Sequence, residues 1–208
     1  YLAKLGVEIV ERPTVGFAEG GFDGFGLVFL ETPSNPGLDV IDLRAACQAI
    51  RAAGGVSVVD NTTMTPFGQR PLDLGADVVV ASDTKAPGGH SDVLMGHVAT
   101  RDAALLDEMT QWRKLSGSIA GPFEPWLLHR SLETLEVRFD RMCASAGVIA
   151  ERLSAHPAVG LVRYPGLTTD PAHEIARAQM TRFGFLIGLT LDSEAAAEAF
   201  INGCSMLA

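Results

Sequence analysis

Three apolar segments of the chain each end in a short polar run, and this repeated feature constrains the fold more than any other. Val78–Ala81 leads into Ser82–Lys85, which carries two hydroxyls, a carboxylate and an amine. The other two segments are Leu27–Leu30, followed by Glu31–Pro36, and Val56–Val59, followed by Asp60–Thr62. Continuous apolar runs of this kind are typical of parallel strands covered on both faces. Because parallel strands end at one edge, where open α/β sheets bind ligands, the pattern predicts a binding site there.

The segment between the first two predicted strands has helical spacing. Between Ile41 and Ala53, apolar residues recur every three or four positions, with Asp42 near the first turn and Gly54 after the last. Strand, helix and strand predict a right-handed βαβ unit. A further strand is predicted over Val93–Ala99, which gives at least four strands in one sheet.

The rest of the chain predicts a second, smaller unit. Helical patterns cover about residues 102–115 and 124–153, the latter a long stretch that could contain an interruption. After His156 the sequence predicts strands over 159–164 and 185–191 and a helix over 193–201. We therefore expect a large α/β domain over residues 1–155 and the beginning of a small α+β domain over 156–208. The alternation in Val7–Glu11 predicts one more strand, and both ends of the chain are expected to be truncated.

Composition argues against several classes of partner. The net charge is −9 and the 16 Lys and Arg residues are scattered, so we expect no nucleic-acid partner. No apolar run approaches the roughly 20 residues of a membrane helix, and the first residues do not show the charged, apolar and cleavage-site pattern of a signal peptide. We therefore expect a soluble, cytoplasmic protein without a membrane partner. The three cysteines are far apart and outside any metal-ligand spacing, so neither disulfides nor a metal site is predicted.

The polar strand ends indicate a particular chemistry. A lysine amine that loses its proton can attack a carbonyl to form a Schiff base, which an arginine cannot do. Ser82 and Thr84 are two residues apart, so in an extended chain both hydroxyls face the same way and can donate to phosphate oxygens. Asp60 ends the neighbouring strand, where a carboxylate can keep a heteroaromatic nitrogen protonated. Together these groups describe a site for pyridoxal 5′-phosphate (PLP).

Four motifs in order resemble the Cys/Met-metabolism family of PLP enzymes. They are Glu31–Pro36, Val59–Thr62, Ser82–Lys85 and Gly89–Asp92. The family includes cystathionine γ-synthase, cystathionine γ-lyase, cystathionine β-lyase, methionine γ-lyase and the O-acylhomoserine sulfhydrylases. The resemblance implies an aspartate-aminotransferase-like (fold type I) large domain with a mostly parallel sheet. It departs at Ala86, where the family usually has an aromatic residue.

The resemblance implies one role for each of five residues. Lys85 corresponds to the Schiff-base lysine, Asp60 to the partner of the pyridine nitrogen, Asn35 to the donor to the cofactor 3′-oxygen, and Ser82 and Thr84 to phosphate ligands. The family also uses an N-terminal phosphate loop, a ring-stacking Tyr, a Tyr/Arg pair from a neighbouring subunit and a carboxylate-binding Arg. None of these has a recognisable counterpart in the sequence.

The resemblance implies γ-elimination or γ-replacement on sulfur amino acids or activated homoserine. A cystathionine γ-lyase or γ-synthase type of enzyme is the first choice, and a methionine γ-lyase or O-acylhomoserine sulfhydrylase is the alternative. It also implies a homodimer or homotetramer with shared active sites. A non-catalytic scaffold that retains the fold is the alternative of another class. His90, Ser91 and Asp92 are consecutive, so they cannot converge on one atom as a hydrolase triad must.

Overall fold

The computed structural model describes residues 2–204 and confirms an α/β fold built on a mostly parallel sheet. The main sheet has the strand order β1-β2-β3-β4, and its strands are β1 Leu27–Glu31, β2 Val56–Asp60, β3 Val78–Ser82 and β4 Gly96–Thr100. The first three strands are parallel, and β4 runs antiparallel to β3. The three apolar runs of the sequence therefore form the three parallel strands.

Seven α-helices accompany the strands in the described part of the chain. They are α1 Leu43–Ala52, α2 Thr65–Gly68, α3 Ala103–Ser116, α4 Phe123–Leu132, α5 Leu135–Ser154, α6 His173–Gln179 and α7 Glu194–Gly203. Short 3₁₀ helices cover Leu2–Leu5, Thr14–Glu19 and Pro71–Asp73. No described helix combines the length and the hydropathy of a membrane-spanning segment.

Helix α1 forms the main core together with the parallel strands. Asp42 begins the helix, since its carboxylate accepts a hydrogen bond from the backbone N–H of Ala45 at 3.0 Å. The apolar face of α1, including the fully buried Leu43 and Ile50, packs in one cluster with Leu30 and Val59 of the sheet. Burial of each such side chain stabilises the fold by about 1.5–3 kcal/mol. This core holds the carboxyl ends of β1 and β2 in place.

The long helical stretch predicted near residues 124–153 is two helices, α4 and α5, separated at Glu133 and Thr134. The break has a local cause, because the backbone N–H and the hydroxyl of Thr134 both donate to the carbonyl of Ser131, each at 3.3 Å. A side chain that bonds its own backbone in this way competes with the regular helix ladder.

A second, two-stranded sheet lies in the C-terminal part. Its strands, β5 Leu161–Arg163 and β6 Gly188–Thr190, are antiparallel. Both strands were predicted with longer bounds, and the final helix was predicted over 193–201 and is observed over Glu194–Gly203, whereas α6 was not predicted. Tyr164 packs with Ala146 and Ala150 of α5. The domain boundary placed between residues 155 and 156 stays a prediction.

The strand predicted over Val7–Glu11 is wrong. The segment has no regular structure, and no described strand pairs with it. Val7 and Ile9 are about half exposed, so the alternating side chains have no apolar surface to cover. The chain ends expected to be truncated, Tyr1 and residues 205–208, lie outside the described residues.

Candidate active site

The carboxyl ends of β1, β2 and β3 bring polar side chains to one edge of the sheet. Glu31 of β1 is directly opposite Asp60 of β2 in the parallel register. Asp60 in turn pairs with Val80, two residues before Ser82 at the end of β3. The predicted convergence of these strand ends is therefore observed.

Asp60 and Ser82 are connected through Thr62. The backbone N–H of Thr62 donates to Asp60 Oδ1 at 2.8 Å, and the backbone N–H of Ser82 donates to Thr62 Oγ1, also at 2.8 Å. These bonds use only one oxygen of the carboxylate and the backbone of the serine. Asp60 Oδ2 and the Ser82 hydroxyl make no hydrogen bond to other described residues, so both are available to a ligand.

Lys85 lies in a tight turn directly after β3. The backbone N–H groups of Asp83 and Thr84 both donate to the carbonyl of Met95, at 2.8 and 3.2 Å, and that of Gly89 donates to the carbonyl of Lys85 at 2.8 Å. The Thr84 hydroxyl accepts from the backbone N–H of Met95 at 3.2 Å. The Lys85 side chain itself is exposed and lies at the same cavity as Asp60.

Asn35 lies in the loop after β1, which is fixed by its own hydroxyl residues. Thr32 Oγ1 accepts from the backbone N–H of Ile41, and Ser34 Oγ accepts from that of Asp39, both at 3.0 Å. Thr32 and Ser34 are buried, whereas Asn35 is exposed at the cavity. The buried hydroxyls thus anchor a loop whose amide side chain faces a ligand site.

Glu31 is a second carboxylate in this site, and the sequence analysis gave it no role. Burial raises the pKa of Glu31, the backbone N–H of Asn35 opposes that rise, and the charge of Asp60 adds to it. Its position directly before the loop, opposite Asp60, could have identified it from the sequence.

All five residues predicted for the cofactor site line one cavity of about 1370 Å³, together with Glu31 and Thr62. We call this side, formed by the ends of β1–β3 and the turn after β3, the strand-end wall. Asn35, Asp60, Ser82, Thr84 and Lys85 therefore lie together as predicted, although the role of each stays a prediction. A cavity with several convergent polar groups is typical of a small-molecule site.

Helix α5 forms another side of the cavity, which we call the helix wall. It contributes Val137, Arg138, Arg141 and Met142, and Phe185 and Leu186 extend it. Sequence analysis did not find these residues, because nothing in the helix pattern shows which of its faces meets a loop some fifty positions earlier.

A buried carboxylate, Asp83, pairs with a more exposed histidine, His97, behind the strand-end wall. Asp83, 2% exposed, accepts a hydrogen bond from His97 Nδ1 at 2.8 Å, and this bond raises the pKa of His97. Asp83 Oδ2 is buried without a hydrogen-bond partner among the described residues. Within residues 2–204, no group of three or more His, Cys, Asp or Glu side chains is placed to hold a metal ion.

Known proteins resemble the chain in both sequence and structure. The profile of the family described as "Cys/Met metabolism PLP-dependent enzyme" matches residues 23–208. A Streptomyces coelicolor protein named "Putative cystathionine gamma-lyase" is 47% identical over 207 residues, which is 99% of this chain and 53% of the relative. A cystathionine beta-lyase of Lactococcus lactis subsp. cremoris is 42% identical over 178 residues, 86% of this chain and 47% of the relative.

A solved structure shows the same likeness. The crystal structure of cystathionine gamma synthase from Xanthomonas oryzae pv. oryzae, in complex with aminoacrylate and cysteine, superposes with a TM-score of 0.85 at 42% identity. The match covers 88% of this chain and 48% of that one. The chain thus spans about half the length of the relatives that it matches.

Proposed function

Because the chain belongs to the Cys/Met metabolism family of PLP-dependent enzymes, we propose that the whole protein catalyses γ-elimination or γ-replacement on a sulfur amino acid or an activated homoserine. A cystathionine γ-lyase or γ-synthase type of reaction is the first choice. The observation that carries the proposal is that Lys85, Asp60, Asn35, Ser82 and Thr84 line one cavity. When bound, PLP supplies a protonated ring that accepts the electrons left at Cα after proton loss.

The free polar groups of the strand-end wall fit this cofactor. The Ser82 hydroxyl can donate to a phosphate oxygen, because it has no partner among the described residues. Asp60 Oδ2 can accept from a ring N–H, while Thr62 fixes the other oxygen of the carboxylate. Asn35 presents an exposed amide that can donate to a ring oxygen. Thr84 would be the second phosphate ligand, although its hydroxyl also bonds the backbone of Met95 and would have to give up its 3.4 Å bond to that carbonyl.

Lys85 would act twice in the reaction. Its amine would hold the cofactor aldehyde until a substrate amino group takes that place. The freed amine would then remove the proton from substrate Cα and return a proton later. General acid–base catalysis of this kind typically contributes roughly 10²–10⁴-fold in rate. This role is supported by the position of Lys85 in the turn after β3, where it lines the same cavity as Asp60.

We also propose that the protein assembles as a homodimer or homotetramer with shared active sites. Apolar side chains on α3 and α4 support this proposal, since Trp112 is 65%, Leu115 87% and Trp126 58% exposed. Exposed apolar surface of this extent often marks a contact between proteins. The cytoplasmic location expected from the sequence stays a prediction.

A cofactor-trapping experiment on the full-length protein tests the proposed function. The protein is incubated with PLP, its visible absorbance is recorded, and borohydride reduction is followed by peptide mass analysis. We expect a visible band and, after reduction, the cofactor mass on Lys85 and not on Lys114, which lies outside the cavity. A protein without a visible band and without cofactor on Lys85 would contradict the proposal.

A substrate panel then separates the related reactions. Cystathionine, methionine, homocysteine and an O-acylhomoserine, each assayed with the loaded full-length protein, distinguish the γ-lyase and γ-synthase types from methionine γ-lyase and sulfhydrylase. A protein that binds PLP but turns over none of these substrates would favour the non-catalytic scaffold.

A further inference from the structure

Arg138 connects the helix wall to the turn that carries Lys85. From the first turn of α5, its Nη1 donates to the carbonyl of Ala86 at 2.7 Å and its Nη2 to that of Pro87 at 3.2 Å. Nη2 also donates to the carbonyl of Ser131 at 2.9 Å. Nε donates to the hydroxyl of Thr134 at 3.1 Å. One guanidinium therefore joins the two residues after Lys85 to the break between α4 and α5.

The oxygens that Arg138 contacts are all neutral. It makes no salt bridge among the described residues, and burial lowers the pKa of its guanidinium. Partial burial of a cation without a carboxylate is costly. The number and spacing of these acceptor oxygens explain why an arginine nevertheless occupies position 138. Only a planar guanidinium offers five N–H donors in a fixed fork.

Gly89 leaves the space that the guanidinium occupies. A Cβ built on Gly89 would lie 2.1 Å from Nη1 of Arg138, and the backbone of Gly89 has φ +72°. A side chain at position 89 would therefore strain the backbone and displace the guanidinium from the carbonyl of Ala86. Turn and arginine fit each other only when position 89 is glycine.

We propose that Arg138 is a positioning residue, which holds the backbone after Lys85 so that the lysine amine keeps its place in the cavity. The inference rests on the proposed function, in which that amine moves the Cα proton. Arg138 acts on the reaction through the turn and not by contact with the reacting atoms. Without it, the carbonyls of Ala86 and Pro87 lose their donors and the turn loosens. A misplacement of about 1 Å at a catalytic group can cost roughly 100-fold in rate.

Hydrogen exchange on the full-length protein without cofactor tests the structural part. We expect the amides of the turn, residues 84–89, to exchange roughly tenfold faster in Arg138→Ala than in the unmodified protein. Arg152→Ala is the matched control, because Arg152 is exposed on the same helix and does not line the cavity. Unchanged exchange in Arg138→Ala would overturn the proposal.

Kinetics and chemical rescue test the functional part. We expect Arg138→Ala to bind PLP and show its visible band, but to lose roughly 100-fold in kcat with little change in KM. Added guanidinium ion should restore part of the lost rate and slow the exchange of the turn. Arg138→Lys should remain impaired, since an ammonium cannot span the same set of oxygens. Full activity of Arg138→Lys, or no rescue by guanidinium, would count against positioning.

A second variant distinguishes the loss of the Arg138 contacts from a general loss of folding. Gly89→Ala leaves Arg138 in the chain but should displace it, so removing Arg138 from this variant should cost much less than removing it from the unmodified protein. Additive effects would contradict the proposal. If the unmodified protein itself shows no visible band with PLP, the proposed function fails, whereas a loaded enzyme indifferent to both variants rejects only the positioning role.

Discussion

The two walls of the cavity differ in how their residues come together. The strand-end wall consists of side chains that directly follow three apolar strands, so each is placed by its immediate neighbours in sequence. The helix wall comes from α5, and Arg138 meets carbonyls that lie 52 and 51 positions earlier in the chain. The chemical groups of this site are therefore encoded locally, whereas the contacts that hold them depend on tertiary packing.

The largest expected effect belongs to the strand-end wall. Lys85→Ala should abolish both the visible band with PLP and turnover, because the amine that would hold the cofactor and move protons is gone. Absorbance spectra and assays of the full-length protein check this. Lys114→Ala, on exposed α3, should keep both properties. A Lys85→Ala protein that kept both would refute the assignment.

A substitution in the core beneath the helix wall should lower the stability of the fold. Phe139 is fully buried against Ala86 and Leu135, and its ring meets Phe185 edge-on at a centroid distance of 6.1 Å. Phe139→Ala should lower the free energy of unfolding by about 3–5 kcal/mol, as measured in denaturant. Val137→Ala is the control, since Val137 is 73% exposed, and should change it by less than about 0.5 kcal/mol. A loss below about 1 kcal/mol at Phe139 would show that the helix wall is not anchored there.

A conservative change at Asp60 should affect chemistry more than binding. In Asp60→Asn the amide cannot keep a ring nitrogen protonated, so PLP should still bind while Cα-proton loss slows by roughly 100-fold. Exchange of the substrate Cα proton in D₂O, followed by NMR, measures this step. Asp107→Asn, exposed on α3, should exchange at the normal rate. Unchanged exchange in Asp60→Asn would reject the role of the carboxylate.

The smallest expected effect lies behind the strand-end wall. The bond to Asp83 raises the pKa of His97 from its usual 6.5, so the folded state binds the proton more tightly than the unfolded state. The charged pair should therefore stabilise the fold below about pH 6.5 and lose this effect as pH rises through the raised pKa. Because the His97 side chain is 40% exposed, the gain should be at most about 1 kcal/mol.

His97→Asn keeps a hydrogen-bond donor but removes the charge. The stability difference between the unmodified protein and this variant should shrink as the pH of unfolding is raised from about 5.5 to about 8.5. In an Asp83→Asn background, the same replacement should show no such trend. A difference that grows with pH would contradict a raised pKa at His97.

The sequence predicted those parts of the molecule in which local pattern and tertiary environment agree. The parallel strands and α1 were found because continuous apolar runs and helical spacing match the surfaces that these elements bury. The strand predicted over Val7–Glu11 is wrong because alternation describes only the side chains, whereas a strand also needs a partner for its backbone.

The residues of the helix wall were missed for a related reason, since a sequence pattern does not show which distant backbone groups a side chain will contact. Arg138 lies beside Phe139 in a helix with an ordinary amphipathic pattern. Its acceptors are backbone carbonyls, and because every residue has one, the sequence does not show which of them an arginine will contact. Glu31 differs from Arg138 in that the sequence could have identified it, because it ends an apolar run just as Asp60 does. A consistent reading of strand ends could have included it among the candidate site residues.

The side chains of Ser82, Asp83 and Thr84 point alternately toward and away from the cavity, and this alternation decides which charge the cavity presents. Ser82 and Thr84 line the cavity, while the carboxylate between them is buried elsewhere against His97. The pairing of Ser82 with Gly96 fixes this arrangement. A slip of β3 by one residue would turn the acid inward and the alcohols outward, and so replace neutral donors with a negative charge that repels an anion. A single-residue insertion or deletion in this strand would therefore put a carboxylate where the two hydroxyls line the cavity, and the site would then disfavour an anion such as a phosphate group.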